Sequence, residues 1–279
     1  MIRLSAFADE ASSQIRGQIE AMRRNGISLL EIRGVDGTNI SKITADKAKE
    51  VRRMLDDAGM QVWSMGSPIG KYALVDDFAP HLDEYKRILE YADILGAKKI
   101  RLFSFYAVEG ESEETTLERV LERLHAFCEL VPDGVTLCHE NEKHIFGETP
   151  EKCLKLHQAL PKLRAVFDPA NFVQCDVDTR KAWEMLREYV DYLHIKDARF
   201  DNHKVVPAGK GNGNLPYIVG EYVKRGGEVM TLEPHLKVFD GLAALENGES
   251  LPEGVETYRS NDEAFDAGVA ALRDVLAGL

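Results

Sequence analysis

The chain has 279 residues, enough for one α/β barrel or for two domains of ordinary size. Its 35 Lys and Arg against 47 Asp and Glu leave a formal charge of −12, which speaks against a general nucleic-acid binder, because phosphate contacts need a basic surface. No apolar run approaches the roughly 20 residues of a membrane span, and Met1–Glu10 lacks the basic start and apolar stretch of a signal peptide, so a cytoplasmic location is expected.

Eight short β-favouring runs alternate with longer helical patterns. In chain order the runs are Arg3–Phe7, Ser28–Arg33, Gln61–Met65, Lys99–Ser104, Val135–Glu140, Arg164–Asp168, Tyr192–Asp197 and Glu228–Glu233. Between the first two, Ile15, Ile19 and Met22 share one helical face, with Ser12 or Ser13 as expected cap and Gly26 as stop. Ser112 with Glu113 and Glu114 opens another helix, its acids at the positive end of the dipole. Thr149-Pro150 and Asn214-Leu215-Pro216 read as cap and first-turn proline. Gly59, Gly96 and Gly226–Gly227 stop helices before the next strand. The last helix is expected over Glu263–Leu279, after a long loop from Val238 to Asn261.

Strand–helix alternation implies a parallel sheet, and eight units fit a closed (β/α)8 TIM barrel as a single domain over 1–279. The alternative, a doubly wound open sheet, more often has fewer strands and a glycine-rich phosphate turn after the first. Here the first strand runs into Asp9-Glu10-Ala11. Gly209-Lys210-Gly211-Asn212-Gly213 follows the seventh strand without Walker spacing and reads as a plain loop. Cys128, Cys138, Cys153 and Cys175 form no Cys-x-x-Cys pair and are expected to be reduced.

In a barrel, catalytic groups stand at the C-terminal strand ends. Each of the last four strands ends in a metal-competent residue: Glu140, Asp168, His194 and Glu233. Leu137, Phe167, Leu193, Ile195, Met230 and Leu232 suit the outer face, so alternation turns all four candidates inward. Each alone has a structural reading: Asp168 caps a turn, the glutamates are loop acids, His194 is a core histidine. Together, three converging carboxylates repel unless a cation joins them. Three carboxylates and an imidazole suit one divalent metal ion, Mn²⁺, Mg²⁺, Co²⁺ or Zn²⁺, without choosing among these.

Cys138-His139-Glu140-Asn141, Phe167-Asp168-Pro169-Ala170-Asn171, His194-Ile195-Lys196-Asp197 and Leu232-Glu233-Pro234-His235 resemble the motifs of the xylose isomerase-like barrel superfamily. That group includes sugar isomerases, ketose 3-epimerases, inosose dehydratase and endonuclease IV-type repair enzymes. The resemblance implies that Glu140, Asp168, His194 and Glu233 bind the metal, and that Glu140 and Glu233 are an acid/base pair on opposite faces of a sugar. A proton next to a polarised carbonyl is the one such a pair moves.

Two positions depart from the ketose 3-epimerase pattern. Asn171 stands where those enzymes usually carry a histidine, and Arg199 follows His194 by five residues in a register resembling inosose dehydratase. Asn171 suits a substrate hydroxyl, and Arg199 or Lys196 an oxyanion. His235, just past Glu233, is a further substrate-binding candidate.

Glu31 and Arg101 share the inner phase and are expected to pair in the barrel floor or reach substrate. His139 has outward parity and a structural role, while Lys143 and His144 lie in a loop that overhangs the mouth. Phe7, Trp63 and Phe103 are core residues or an apolar wall for a sugar.

The expected function is a metal-dependent isomerase or epimerase acting on a small sugar, sugar phosphate or polyol. A dehydratase-type lyase is the alternative. A repair nuclease is disfavoured by Asn171 and the negative charge, and a non-catalytic sugar-binding barrel by the intact ligand set. No nucleic acid or membrane partner is expected, and family habit implies a homodimer or homotetramer.

Overall fold

All eight expected strands are present and close on one another. A computed structural model describes residues 2–240 and 258–279. The barrel strands are β1 (Arg3–Ala6), β2 (Leu29–Ile32), β3 (Gln61–Gly66), β4 (Lys99–Leu102), β5 (Thr136–Glu140), β6 (Arg164–Phe167), β7 (Val190–Ile195) and β8 (Val229–Leu232). Each pairs in parallel with its sequence neighbours, and β1 pairs with β8 to complete the ring. Part of the expected 238–261 loop, residues 241–257, lies outside the described residues.

Side-chain alternation divides the strands between two environments. Leu137, Phe167, Leu193, Ile195, Met230 and Leu232 face outward and join the core under the helices. Cys138, Val166 and Tyr192 form a separate small apolar layer inside the ring. Above that layer the interior is polar, with Glu31, Arg101, Glu140, His194 and Glu233 all buried.

The surrounding helices are α1 (Ile15–Arg24), α2 (Ala45–Asp57), α3 (Phe78–Leu95), α4 (Glu113–Leu130), α5 (Pro150–Ala159), α6 (Pro169–Gln174), α7 (Thr179–Leu186), α8 (Leu215–Lys224) and α9 (Asn261–Ala277). None is long and apolar enough to cross a membrane. Ser112 caps α4 through the Thr115 amide, and Thr149 caps α5 through the Lys152 amide, as their sequences imply.

Two caps differ from expectation. The α1 start is satisfied from outside the helix: Asp36 Oδ1 accepts the Ile15 amide at 2.9 Å, while Ser12 Oγ accepts from Gln14. Asn214 precedes α8 in the left-handed region (φ 54°), and its amide donates to Thr179 Oγ1 instead of capping its own helix.

Several strand ends are shorter than the apolar runs. Phe7, Arg33, Asp168 and Glu233 sit one residue past their strands, where the backbone begins to turn over the mouth. Two small hairpins rise there, Gly34–Val35 with Thr38–Asn39 and Asp197–Ala198 with Val205–Val206. The glycine-rich loop after β7 folds around Asp197, whose Oδ2 accepts the Gly209 and Gly211 amides at 2.9 Å and whose Oδ1 accepts that of Gly213 at 2.8 Å. A side chain at Gly211 would run into the Ala198 carbonyl, so close packing on Asp197 requires glycine.

Outside the ring, His139 contacts Ser104 Oγ at 3.0 Å and lies edge-on to His157, whose Nδ1 donates to the Leu163 carbonyl. This agrees with the outward parity of His139. Burial disfavours the charged form of both rings and pushes His157 down to about 4. The four cysteines are free.

A histidine that resists protonation when folded but titrates normally when unfolded stabilises the fold above about pH 6.5, and that stability is lost as pH falls towards 4. His157 is expected to contribute about 3 kcal/mol of this loss. Urea unfolding of the wild type and of His157→Gln between pH 7 and pH 4.5 checks it: the wild type should show the steeper pH dependence.

Candidate functional site

The C-terminal ends of β5 to β8 bring Glu140, Asp168, His194 and Glu233 together. All four are buried, and one ligand atom of each lies within 4.8 Å of the others. His194 Nδ1 is 2.9 Å from Glu140 Oε1 and 3.5 Å from Glu233 Oε2. Its Nε2 faces Glu31 Oε2 at 3.1 Å, and Glu31 Oε1 accepts from the Tyr192 hydroxyl at 2.8 Å. The imidazole is thus oriented from below by a carboxylate, the arrangement that orients metal-ligating histidines.

Neighbouring groups fix each carboxylate. Lys196 Nζ lies 3.0 Å from Asp168 Oδ2 and 3.4 Å from Glu233 Oε2. Asn171 donates to Glu140 Oε1 at 3.4 Å and to the Asn141 carbonyl at 2.9 Å. Asp168 also accepts the Asn171 amide through Oδ1, so the capping role read for it exists alongside its place in the cluster. Arg101 Nε is 3.2 Å from Glu140 Oε2, and Arg33 Nη1 is 2.7 Å from Glu233 Oε1.

Burial and charge act against each other here. Burial pushes Asp168 up to about 6 against the pull of Lys196, with Glu233 and Glu140 adding to the rise. Burial also favours neutral Glu233, but Lys196, His235 and His194 outweigh it and hold that carboxyl well below its usual range. Burial opposes charge on His194, yet Glu140 and Glu31 hold it protonated well above its ordinary value. A divalent cation would take the place of that proton between the same carboxylates. The donor set fits such an ion: hard oxygens with one imidazole, all buried and converging.

Sequence reasoning missed a second network around Arg33. Its guanidinium is buried and bonds Asp9 through Nε at 2.9 Å and Nη2 at 3.1 Å, Glu10 at 3.3 Å and Glu233 at 2.7 Å. It also lies 4.2 Å from the centre of the Phe7 ring. Period-2 alternation carries this signal, since Arg33 follows inward-facing Glu31 by two positions. His235 joins the same network: its amide donates to Glu10 Oε2 at 2.7 Å, and its Nε2 lies 3.4 Å from Glu233 Oε1.

Other expectations fall elsewhere. Glu31 and Arg101 bond different partners instead of each other, because each has a nearer opposite charge in His194 and Glu140. Arg199 is exposed on the hairpin after β7. Lys143 and His144 line a separate hollow with Cys175 and His203. Trp63 lies in β3 and lines a hollow with Arg3, the first residue of β1, and Lys98, just before β4, so it is no part of the mouth. Phe7 packs edge-on to His194 at 5.1 Å, and Phe103 lines a cavity beside the cluster. That cavity, of about 390 Å³, opens over β1–β4 and is also bordered by Arg33, Lys71, Arg101 and Phe239.

Removing the Arg33 guanidinium leaves three carboxylates facing one another in a buried site. Arg33→Met is expected to destabilise the fold by about 3–5 kcal/mol, measured by urea unfolding of the metal-free protein, with Arg33→Lys recovering part of the loss.

The sequence model of the xylose isomerase-like TIM barrel family matches residues 19–261. None of the curated proteins matches the sequence significantly. Among solved structures, the IOLI protein with a bound zinc atom superposes with a TM-score of 0.75 at 15% identity, covering 99% of both chains. D-Psicose 3-epimerase from Clostridium cellulolyticum H10, solved with D-tagatose, gives 0.73 at 13% identity, again over 99% of both chains. The probable 3-DHS dehydratase AsbF from Bacillus anthracis, involved in petrobactin synthesis, gives 0.72 at 16% identity over 98% of this chain and 99% of its own. At such identities these structures share the fold, and the family match spans all four clustered side chains. The chain belongs to the xylose isomerase-like TIM barrel family.

Proposed function

We propose that the protein is a divalent-metal-dependent isomerase or epimerase that moves a proton at a carbon next to a carbonyl of a small sugar or polyol. The observation that carries this reading is the convergence of Glu140, Asp168, His194 and Glu233 within 4.8 Å, beside a cavity of about 390 Å³. Mn²⁺, Mg²⁺, Co²⁺ and Zn²⁺ all suit this donor set. When bound, the ion supplies Lewis-acid polarisation of the substrate carbonyl.

The protein's own groups divide the remaining work. Glu140 and Glu233 come from strands separated by two others, so they approach a bound sugar from different sides. One takes the proton and the other returns it. Arg101 and Arg33 each hold one oxygen of these glutamates, which fixes the direction of the other. Lys196 stays charged between Asp168 and Glu233 and stabilises the oxyanion that forms as the proton leaves. Asn171 and His235 complete the wall around the reacting carbons. Arg199, exposed in this structure, takes part only if its hairpin moves inward.

A lyase of the dehydratase type is the second reading. It is favoured by the placement of Lys196, whose ammonium can hydrogen-bond a departing hydroxyl. It shares the first proton transfer and differs in losing water.

Glu140→Gln and Glu233→Gln should each slow solvent-deuterium exchange into a ketose by about 10²- to 10⁴-fold, followed by NMR in D2O. Full activity in either variant would remove the two-carboxylate mechanism. Deuterium in an otherwise intact carbon skeleton, without water loss, separates epimerisation from dehydration. Chelation should lower the melting temperature by roughly 5 °C, because the ion holds repelling carboxylates together.

A further inference from the structure

The cavity beside the ligand cluster has a charge pattern of its own. Each cation on its wall is already held twice. Arg33 is bonded to Asp9, Glu10 and Glu233 and lies over Phe239, with 5.0 Å to the ring centre. Arg101 meets Glu140 and lies 4.4 Å from the centre of Phe103. Lys71 meets Glu142 at 3.0 Å and lies 4.6 Å from the same ring centre. Drawing any of these cations towards a new anion weakens its hold on a buried carboxylate.

The wider balance points the same way. With Lys196 and Asp168 added, Glu31 beneath His194 and Asp240 on the cavity wall, four cations meet eight carboxylates. A bound divalent ion still leaves the carboxylates in excess. A phosphate ester would bring up to two more negative charges into it.

Apart from Asp240, what remains of the wall is uncharged. Thr38, Asn39, Ser13 and Ser67 offer hydroxyl and amide groups, and Tyr106 an aromatic face with a hydroxyl. None of the four clustered ligands borders the cavity, so it extends away from the reacting centre. Its volume of about 390 Å³ falls among the roughly 300–1,000 Å³ pockets that bury drug-sized molecules. A sugar with its reacting carbons at the cluster reaches this space only with its far end.

Resting on the function proposed above, we infer that the substrate is an uncharged keto-sugar extended by a second neutral group, such as another sugar ring, and that the cavity over β1–β4 holds the extension. The hydroxyl-rich, cation-saturated wall suits a glycosyl group and rejects a phosphate.

The test compares three probes: fructose, fructose 6-phosphate and 4-O-galactosyl-fructose. Calorimetry on chelated protein should show galactosyl-fructose binding at least tenfold more tightly than fructose, because the cavity is separate from the metal ligands. With Mn²⁺ bound, deuterium exchange should favour galactosyl-fructose at least tenfold in kcat/KM, mainly through KM, and disfavour the phosphate at least tenfold. Thr38→Trp, on the exposed hairpin rim, should bring galactosyl-fructose down to the level of fructose. Its Mn²⁺ content and melting temperature report that it has folded. Equal handling of fructose and galactosyl-fructose, or preference for the phosphate, overturns the inference and leaves the isomerase or epimerase reading standing. Exchange absent from all three probes in Mn²⁺-loaded protein overturns that reading and the inference with it.

Discussion

Like charges buried at close range are the constraint around which this barrel is organised. Glu140, Asp168 and Glu233 meet inside a protein interior, where water does little to screen them. Lys196 and His194 stand between them, and Arg33 and Arg101 hold their outer oxygens. The compensating groups come from three separate parts of the ring. Arg33 follows β2, Arg101 lies in β4, and His194 and Lys196 belong to the end of β7. The cluster therefore exists only when the ring is closed, and closure is favoured by the charges that the cluster needs.

The fold was readable because strand and helix periods are local properties. Leu193 and Ile195 on one side of His194, and Met230 and Leu232 around Thr231, show the outer face without any partner strand. The same alternation placed the four clustered residues inward, and the geometry brings them together. It also turns Arg33 inward, two positions after Glu31. Arg33 matters through Asp9 and Glu233, which lie 24 and 200 residues away along the chain. Such contacts leave no spacing in a sequence to read.

Where expectation and structure part, the cause is competition between partners. Glu31 and Arg101 share a phase, but His194 and Glu140 are nearer to each. Ser12 had the right chemistry to cap α1, yet it accepts the Gln14 amide while Asp36 brings a charged acceptor to that of Ile15. For Trp63, either a core residue or a sugar wall by sequence, position decides instead: it occupies the lower part of β3, away from the mouth.

The reach of Asp36 has a mechanical side. One oxygen of its carboxylate holds the first turn of α1, and the other lies 2.6 Å from Lys47 on α2. Asp36 itself sits at the tip of the hairpin whose strands include Thr38 and Asn39. Two helices on the outside of the barrel therefore clamp the tip of a hairpin that borders the cavity inside. The clamp leaves the Thr38 side chain exposed on the rim, while Asn39 Oδ1 caps the next turn by accepting the Ser41 amide. The rim can change its chemistry by point substitution while its backbone stays braced, so the surface most exposed to variation is also one of the best anchored.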